Sequence, residues 1–280
     1  MAVAAQSPEV VNTVPGRTLA EPDWLAARIA EMGHSWGTTQ PRIAGTLWWC
    51  MVASALVEQI ARAYAHGEPA LEVFLDRLDC EVRPDGGIER VHIRPPVDEF
   101  APPEFGALPL APATAAVSES TAAPRESGVS VAREPDGVRA DARAGGADES
   151  RGVGIGAPGG SSDPLGPACV RALRETLAAV ITPVAAVSGA GVPSLWAIAA
   201  DAIGNRALDA GAPGVGARLA EEVGGKLPVP RFVDVGGRTF VRRISCCLVF
   251  EVPGCEMCTS CPKRPAAERK ALLANLAAES

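Results

Sequence analysis

The sequence predicts a mainly α-helical protein with small β-hairpins and a cysteine-rich segment near its C-terminus. Three observations support this prediction. Apolar residues recur at helical spacing over several long stretches, short alternating stretches flank glycine pairs, and five of the eight cysteines fall within residues 246–261. At 280 residues the chain has room for one or two domains, and a hydrophobic content of 47% is ample for a core.

The N-terminal part begins with a predicted flexible leader over residues 1–20. Pro22 to Met32 then shows a helical pattern that ends at Gly33, and glycine is common just after the last turn of a helix. A longer helical pattern runs from Arg42 to His66 and ends at Gly67. The sequence therefore predicts two helices joined by a short connection.

The second of these helices contains the most membrane-like run of the chain, from Ile43 to Val57. A helix needs about 20 apolar residues to cross a bilayer. This run is shorter, so it predicts a buried core helix and at most a peripheral contact with membranes. Leu78 to Val82 and Ile88 to Ile93 then alternate on either side of Asp85-Gly86-Gly87, which predicts a β-hairpin. The hairpin completes an N-terminal part over residues 21–100.

The composition changes between residues 101 and 162. Ala, Pro, Gly, Ser and Asp dominate there, large apolar residues are few, and no hydrophobic period is present. Such a segment cannot bury enough apolar surface to offset the entropy lost on ordering. The sequence therefore predicts a disordered insert between two structured parts, and a linker is favoured over a lid that covers a site.

The C-terminal part, residues 163–280, returns to helical patterns. Asp163 and Pro164 have the form of a helix N-cap and a first helical residue. Phe232 to Val235 and Thr239 to Val249 predict a short hairpin that leads directly into the first two clustered cysteines. Further helices are predicted over Pro193–Leu208, Val215–Val223 and Ala266–Ala277.

Charge and the N-terminal sequence narrow the class of protein. The net charge of −7 is not offset by a basic stripe, which argues against nucleic acid as the main partner. The N-terminus reads MAVAAQSPEVVNTVPGR, without the basic start and apolar core of a secretory signal, so we expect a cytoplasmic protein. Clustered cysteines in the reducing cytoplasm more often bind metal or perform redox chemistry than form disulfides.

The spacing of the clustered cysteines favours an iron–sulfur cluster over a single zinc ion. Cys258 and Cys261 form a C-x2-C pair of the kind that binds zinc. Cys246 and Cys247 are adjacent, with Cα atoms about 3.8 Å apart, which is too close for an ordinary disulfide between them. Adjacent side chains on an extended backbone point to opposite faces, so both reach one centre only if the backbone turns. A two-iron cluster is a more extended target than one ion.

A four-iron cluster remains an open alternative at this point. Cys255, Cys258 and Cys261 spell C-x2-C-x2-C before Pro262, which is part of the bacterial ferredoxin run. The further cysteine that this run needs before the proline is missing, and one of the two adjacent cysteines would have to replace it. The other thiols are isolated in apolar or strand-like settings, which is typical of inert burial: Cys50, Cys80 and Cys169.

The cysteine-rich segment resembles the C-terminal signature of the FhuF-type ferric-siderophore reductase family. The features that match are an arginine-rich entry at Arg242 and Arg243, the spacing C-C-x10-C-x2-C, and Pro262 after the last cysteine. Ser194-Leu195-Trp196-Ala197 more weakly resembles the family's Leu-Trp helix. The resemblance implies a [2Fe–2S]-binding segment over residues 242–262, with four ligands: Cys246, Cys247, Cys258 and Cys261. Cys255 has no counterpart in the pattern.

The same resemblance implies one-electron reduction of siderophore-bound Fe(III), with release of Fe(II) in the cytoplasm. The sequence has no phosphate loop or GxGxxG element, so electrons are expected from a ferredoxin-like or flavin-dependent donor. Arg242 and Arg243 are candidates for tuning the cluster, with solvated strand positions as the alternative. Trp196 is a candidate for a substrate groove, with core packing as the alternative. The alternative function is a non-enzymatic, zinc-stapled or redox-sensing binding module.

Overall fold

The computed structural model describes residues 10–69, 72–95 and 166–279. All of these belong to one compact unit formed by residues 1–97 and 162–280. The described chain is mainly helical with small antiparallel strand pairs, as the sequence predicts. The predicted insert over residues 101–162 and the predicted helix start at Asp163 and Pro164 lie outside the described residues.

Six helices form the framework of the described chain. Five of them carry a proline in the first turn, where the missing backbone N–H would have no helical partner in any case. The helices are α1 (Pro22–Trp36), α2 (Pro41–His66), α3 (Gly166–Ser188), α4 (Val192–Asp209), α5 (Pro213–Val223) and α6 (Ala266–Ala278).

Helix α2 is the centre of the core and packs against α1, α3, α4 and α5. Trp48 and Trp49 are fully buried, and their indole N–H groups donate to the carbonyl oxygens of Gly86 and Leu195, each at 2.8 Å. By length and composition, α2 is the one described helix that could cross a membrane, but 72% of its most apolar window is buried inside the protein. Both tryptophans are thus core residues.

Helix α1 is longer than the sequence predicts. The helix continues through Gly33 and ends at Gly37, which adopts the left-handed conformation with φ of 71°. Gly33 is required for another reason, because a Cβ atom there would lie 2.8 Å from the carbonyl oxygen of Thr38. Its small size allows the chain after α1 to fold back against the helix.

The prediction of a flexible leader over residues 1–20 is wrong for the residues that the structure describes. Asn12–Pro15 forms strand β1, and Leu19 in the following 3₁₀ turn is fully buried. β1 pairs antiparallel with β2 (Leu78–Val82), which pairs with β3 (Ile88–Ile93). The predicted hairpin therefore supplies the central strand and one edge strand of a three-stranded sheet. Pairing with a distant strand orders β1, and four residues are too few to show this in the local sequence pattern.

The second hairpin is shorter than predicted. It consists of β4 (Phe232–Val235) and β5 (Arg238–Val241), paired antiparallel. The predicted strand to Val249 ends at Val241. The Arg242 N–H still donates across the hairpin to the carbonyl oxygen of Arg231, but the N–H groups of Ile244 and Ser245 donate to a carboxylate of α4 instead of to a neighbouring strand. The segment that carries the cysteines is therefore free to bend.

Candidate metal centre

The cysteine-rich segment forms an irregular loop between β5 and α6. The backbone turns directly after Cys247, because Leu248 has a φ of 63° and is the only described non-glycine residue with a positive φ. The left-handed conformation costs a residue with a side chain about 1–2 kcal/mol. Burial of Leu248 holds it in place, and the backbone N–H groups of Leu248 and Val249 donate to the sulfur atoms of Cys246 and Cys247.

The turn sends the two adjacent cysteines to different partners. The Sγ atom of Cys246 lies 4.0 Å from the Sγ atom of Cys261, and Cys247 shares a hydrogen bond with Cys258. Across the described ranges, no three or more His, Cys, Asp or Glu side chains are arranged around a single ion position. The four thiols stand as two pairs, and a [2Fe–2S] cluster needs two thiolates on each of two irons.

Arg243 brings a buried positive charge to these thiols. Its Nη1 atom donates to the Sγ atom of Cys258 at 3.6 Å, and its Nε atom lies 3.6 Å from Oδ2 of Asp201. Only 16% of its side chain is exposed. A donor N–H and a positive charge next to thiolates stabilise negative charge on sulfur, which fits the tuning role that the sequence predicts for this residue.

Asp201 anchors the loop, although it is not among the site residues predicted from the sequence. It is 3% exposed in the middle of α4 and accepts hydrogen bonds from the backbone N–H groups of Ile244 (2.9 Å) and Ser245 (3.0 Å) and from the Ser245 hydroxyl (2.7 Å). Together with Arg243 these donors satisfy a carboxylate that would otherwise be costly to bury. One signal could have found it, since Asp201 is a lone acid among small and apolar residues.

In the hydrogen bond between Cys247 and Cys258, the proton stays on Cys258 and Cys247 is the thiolate. This bond lowers the pKa of Cys247 to about 5, helped by the Val249 N–H and the charge of Arg243 and opposed by burial. The same bond raises the pKa of Cys258, because loss of its proton would leave two thiolates side by side. Burial raises the pKa of Cys246. At neutral pH the site thus holds a thiolate at Cys247. A bound metal cation would stabilise the site further by replacing the protons on Cys246 and Cys258.

Cys50 lies closer to the centre than the sequence indicates. It is a partly buried residue of α2, and its thiol shares a hydrogen bond with Arg243. Burial raises the pKa of Cys50 to about 12, so it remains a neutral thiol and adds no charge to the site. Cys80 in β2 and Cys169 in α3 are buried elsewhere, and burial raises their pKa values to about 12 and 11.

The remaining three candidate residues do not contact the four thiols of the centre. Cys255 is partly buried against the apolar core, and in the described structure no hydrogen bond joins its thiol to another cysteine. Trp196 is 4% exposed inside the core, so the predicted groove role is wrong and the packing alternative is correct. Arg242 is exposed and lines a pocket beside the loop without contacting the four thiols.

The donor set fits a thiolate-bound cluster. Four thiols in two pairs, backbone N–H groups aimed at two sulfur atoms and a buried arginine on a third supply both ligands and the hydrogen bonds that stabilise reduced clusters. This is the donor set of an iron–sulfur protein.

Comparison with known proteins indicates which type of iron–sulfur segment this is. Residues 243–263 match the family model described as the FhuF 2Fe-2S C-terminal domain. The segment is thus similar to the C-terminal [2Fe–2S] domain of the FhuF type, as its cysteine motif predicts, and a [2Fe–2S] cluster is its cofactor. No curated protein and no solved structure matches the chain.

Proposed function

We propose that this protein is a ferric-siderophore reductase, whose [2Fe–2S] cluster is bound by Cys246, Cys247, Cys258 and Cys261. The observation that carries the proposal is the match of the FhuF 2Fe-2S C-terminal domain to the loop in which these four thiols stand as two pairs. An iron–sulfur centre in this domain type supports chemistry on siderophore-bound iron.

The chain's own residues have two tasks in this function. The loop holds four thiolates in a fixed arrangement, with Asp201 and Leu248 fixing its bend. Arg243 places an N–H group and a positive charge against Cys258, which favours the more negative, reduced state. When bound, the cluster supplies transfer of one electron at a time. No general acid or base is needed, because the reaction moves an electron and no proton.

The reaction that we propose converts chelated Fe(III) to Fe(II) with one electron. Siderophore oxygen atoms are hard ligands that suit Fe(III), so reduction weakens the complex and frees the metal. We propose a ferredoxin-like or flavin-dependent protein as the electron donor and the cytoplasm as the site of release. Neither nucleic acid nor a spanning membrane segment has a part in this proposal.

A single-turnover experiment tests the proposal. Protein purified without oxygen is reduced with dithionite, freed of excess reductant and mixed with a ferric siderophore. We expect the absorption of the oxidised cluster to return as Fe(II) appears, with one Fe(II) formed for each cluster oxidised. A colourless protein that contains zinc and no iron would support the alternative of a zinc-stapled module. A reduced cluster that ferric siderophores leave reduced would contradict the proposed activity.

A further inference from the structure

A pocket lined by four arginines lies next to the cysteine loop. It has a volume of about 180 Å³ and lies between the end of the β4–β5 hairpin, the start of the loop and α6. Such a concentration of positive charge stands out in a chain of net charge −7. The lining residues are Arg231, Arg242, Arg243, Ile244, Pro262 and Arg269.

Two of these arginines carry charge that the described chain leaves unpaired. The N–H of Arg242 donates to the carbonyl oxygen of Arg231 at 2.8 Å, which holds the two residues side by side, and both are exposed. No carboxylate within residues 10–69, 72–95 and 166–279 forms an ion pair with either one. Arg243, in contrast, is paired with Asp201. The mouth of the pocket therefore has an uncompensated positive charge.

The inner wall of the pocket is joined to the residues of the metal centre. Arg243 contacts the Cys258 sulfur atom at 3.6 Å. The Nη1 atom of Arg269 donates to the carbonyl oxygen of Cys261 at 3.2 Å, and Pro262 follows that cysteine directly. A group in the pocket would thus be separated from two sulfur atoms of the centre by single residues, a short path for an electron.

The size of the pocket indicates what can enter it. Sites that enclose a complete drug-sized ligand have volumes of about 300–1,000 Å³. A pocket of about 180 Å³ admits one ring-sized or carboxylate-sized arm while the rest of a larger molecule stays outside. A small concavity of this kind suits one anionic group of a small molecule better than the flat surface of a partner protein.

We propose that this arginine pocket binds a negatively charged, oxygen-rich arm of a ferric chelate, a catecholate or a carboxylate, and so selects anionic chelates over neutral ones. This inference rests on the proposed reductase function. A reduced thiolate-bound cluster is negative and repels an anionic chelate. Unpaired arginines at the mouth offset this repulsion and hold the chelate at the loop, where one electron passes to Fe(III) and the Fe(II) complex weakens.

A double variant with a matched control tests the pocket. Arg231→Gln/Arg242→Gln removes both unpaired charges, while Arg171→Gln/Lys226→Gln removes two positive charges on α3 and on the turn after α5, outside the pocket. Each pre-reduced protein is mixed with the trianionic ferric tris-catecholate or the neutral ferric tris-acetohydroxamate. The readout is the chelate concentration that gives half the maximal rate of cluster reoxidation.

We expect wild type and the control to reach half the maximal rate at a lower concentration of the anionic chelate than of the neutral one. In the pocket variant the ratio of these two concentrations should shift about tenfold toward the neutral chelate. The preference should also fall as salt is raised. Ferric citrate in place of the catecholate complex shows which anionic arm fits better. Equal half-saturation for both chelates in wild type, or an unchanged preference in the pocket variant, would overturn the inference.

The outcomes separate this inference from the function on which it rests. If neither chelate reoxidises the cluster, the reductase proposal fails. If the neutral chelate reoxidises it as well as the anionic one does, reductase function stands and the pocket inference is wrong. If Arg231→Gln/Arg242→Gln slows reduction by an acidic donor protein and leaves the chelate preference unchanged, the pocket serves the donor, and the inference is again wrong.

Discussion

Arg243 lies between a cysteine thiol of the metal centre and a buried carboxylate. It contacts a cysteine sulfur on one side and the carboxylate of Asp201 on the other. Arg242, the neighbouring residue in the sequence, is exposed and contacts none of the four thiols. Adjacent arginines that look equivalent in the sequence therefore have different environments, and only one is placed to affect the cluster's potential directly.

Replacing Arg243 should lower the reduction potential of the cluster. Arg243→Gln removes a charge-assisted N–H···S contact and leaves the negative charge of Asp201 unbalanced, and both changes disfavour the reduced state. A loss of about 1.4 kcal/mol corresponds to a decrease of about 60 mV for one electron. A redox titration followed by EPR measures the shift. Arg242→Gln is the matched control, and an equal shift in both variants would contradict the role of the Arg243 contact.

The two cysteines that share the C-x2-C-x2-C register should respond differently to substitution. Cys258→Ser removes a proposed cluster ligand, so we expect loss of the [2Fe–2S] absorption and most of the iron. Cys255→Ser should retain both, because its thiol is outside the two pairs. Iron analysis and EPR of anaerobically purified protein provide the measurement. Loss of the cluster in Cys255→Ser would support the four-iron alternative.

Asp201 is expected to control both stability and cluster retention. Asp201→Asn removes the partner of Arg243 and turns acceptor positions into N–H groups that face the N–H donors of the loop. Breaking a buried, hydrogen-bonded charge pair costs about 3–5 kcal/mol. Thermal unfolding and iron content measure the two effects. Asp209→Asn at the exposed end of α4, where 61% of the side chain is accessible, should stay within about 0.5 kcal/mol of wild type.

At the scale of elements, the contact between α2 and α3 depends on a glycine. A Cβ atom on Gly45 would lie 2.3 Å from the Cβ atom of Ser188. Neither atom can rotate away, because each is fixed to its backbone. Close approach of these two helices, which sets the position of α2 beneath the metal loop, therefore requires glycine at this place.

Gly45→Ala should destabilise the fold by about 2 kcal/mol, the usual cost of forcing extra volume into a packed core. Gly214 in α5 has open space around it, so Gly214→Ala provides the control. That substitution should be neutral or stabilising, since alanine favours helices over glycine. Urea denaturation midpoints compare the variants. Equal midpoints for the two alanine variants would mean that α2 and α3 move apart at little cost.

At the scale of the whole molecule, the helical core and the C-terminal end are stabilised by different contacts. The core cluster draws its residues from α1 to α5, from the three-stranded sheet and from Leu248 and Val252 of the loop. Helix α6 buries a single residue, Leu273, which is not part of that cluster. The end of the chain thus depends on the cysteine loop and on the β4–β5 hairpin more than on the core.

Removing the metal should therefore loosen the C-terminal end and leave the core folded. We expect little loss of helical circular dichroism after iron is chelated, together with faster hydrogen exchange in residues 255–279, because a bound metal stabilises only the structure that binds it. Hydrogen exchange with mass spectrometry measures both regions in one sample. Cooperative unfolding of α2 and α4 on metal removal would show that the cluster supports the whole fold.

Much of the fold follows from local sequence patterns. The hairpin strands Leu78–Val82 and Ile88–Ile93 and the end of α2 at Gly67 were predicted as they are found, because alternation and a C-terminal glycine act over a few residues. The prediction of a leader over residues 1–20 failed because β1 is ordered by a partner more than sixty residues away along the chain.

The sequence by itself determined that thiolate chemistry is concentrated in residues 246–261, because the spacing of the cysteines is a property of the chain, and the resemblance of that spacing to the FhuF-type signature predicts Cys246, Cys247, Cys258 and Cys261 as the ligands. Only the tertiary structure decided how those thiols pair, which arginine meets them, and that Asp201 bends the loop. Those contacts join residues of α4 and the loop, and their free energy depends on burial and distance. Neither quantity is encoded at any single position of the sequence.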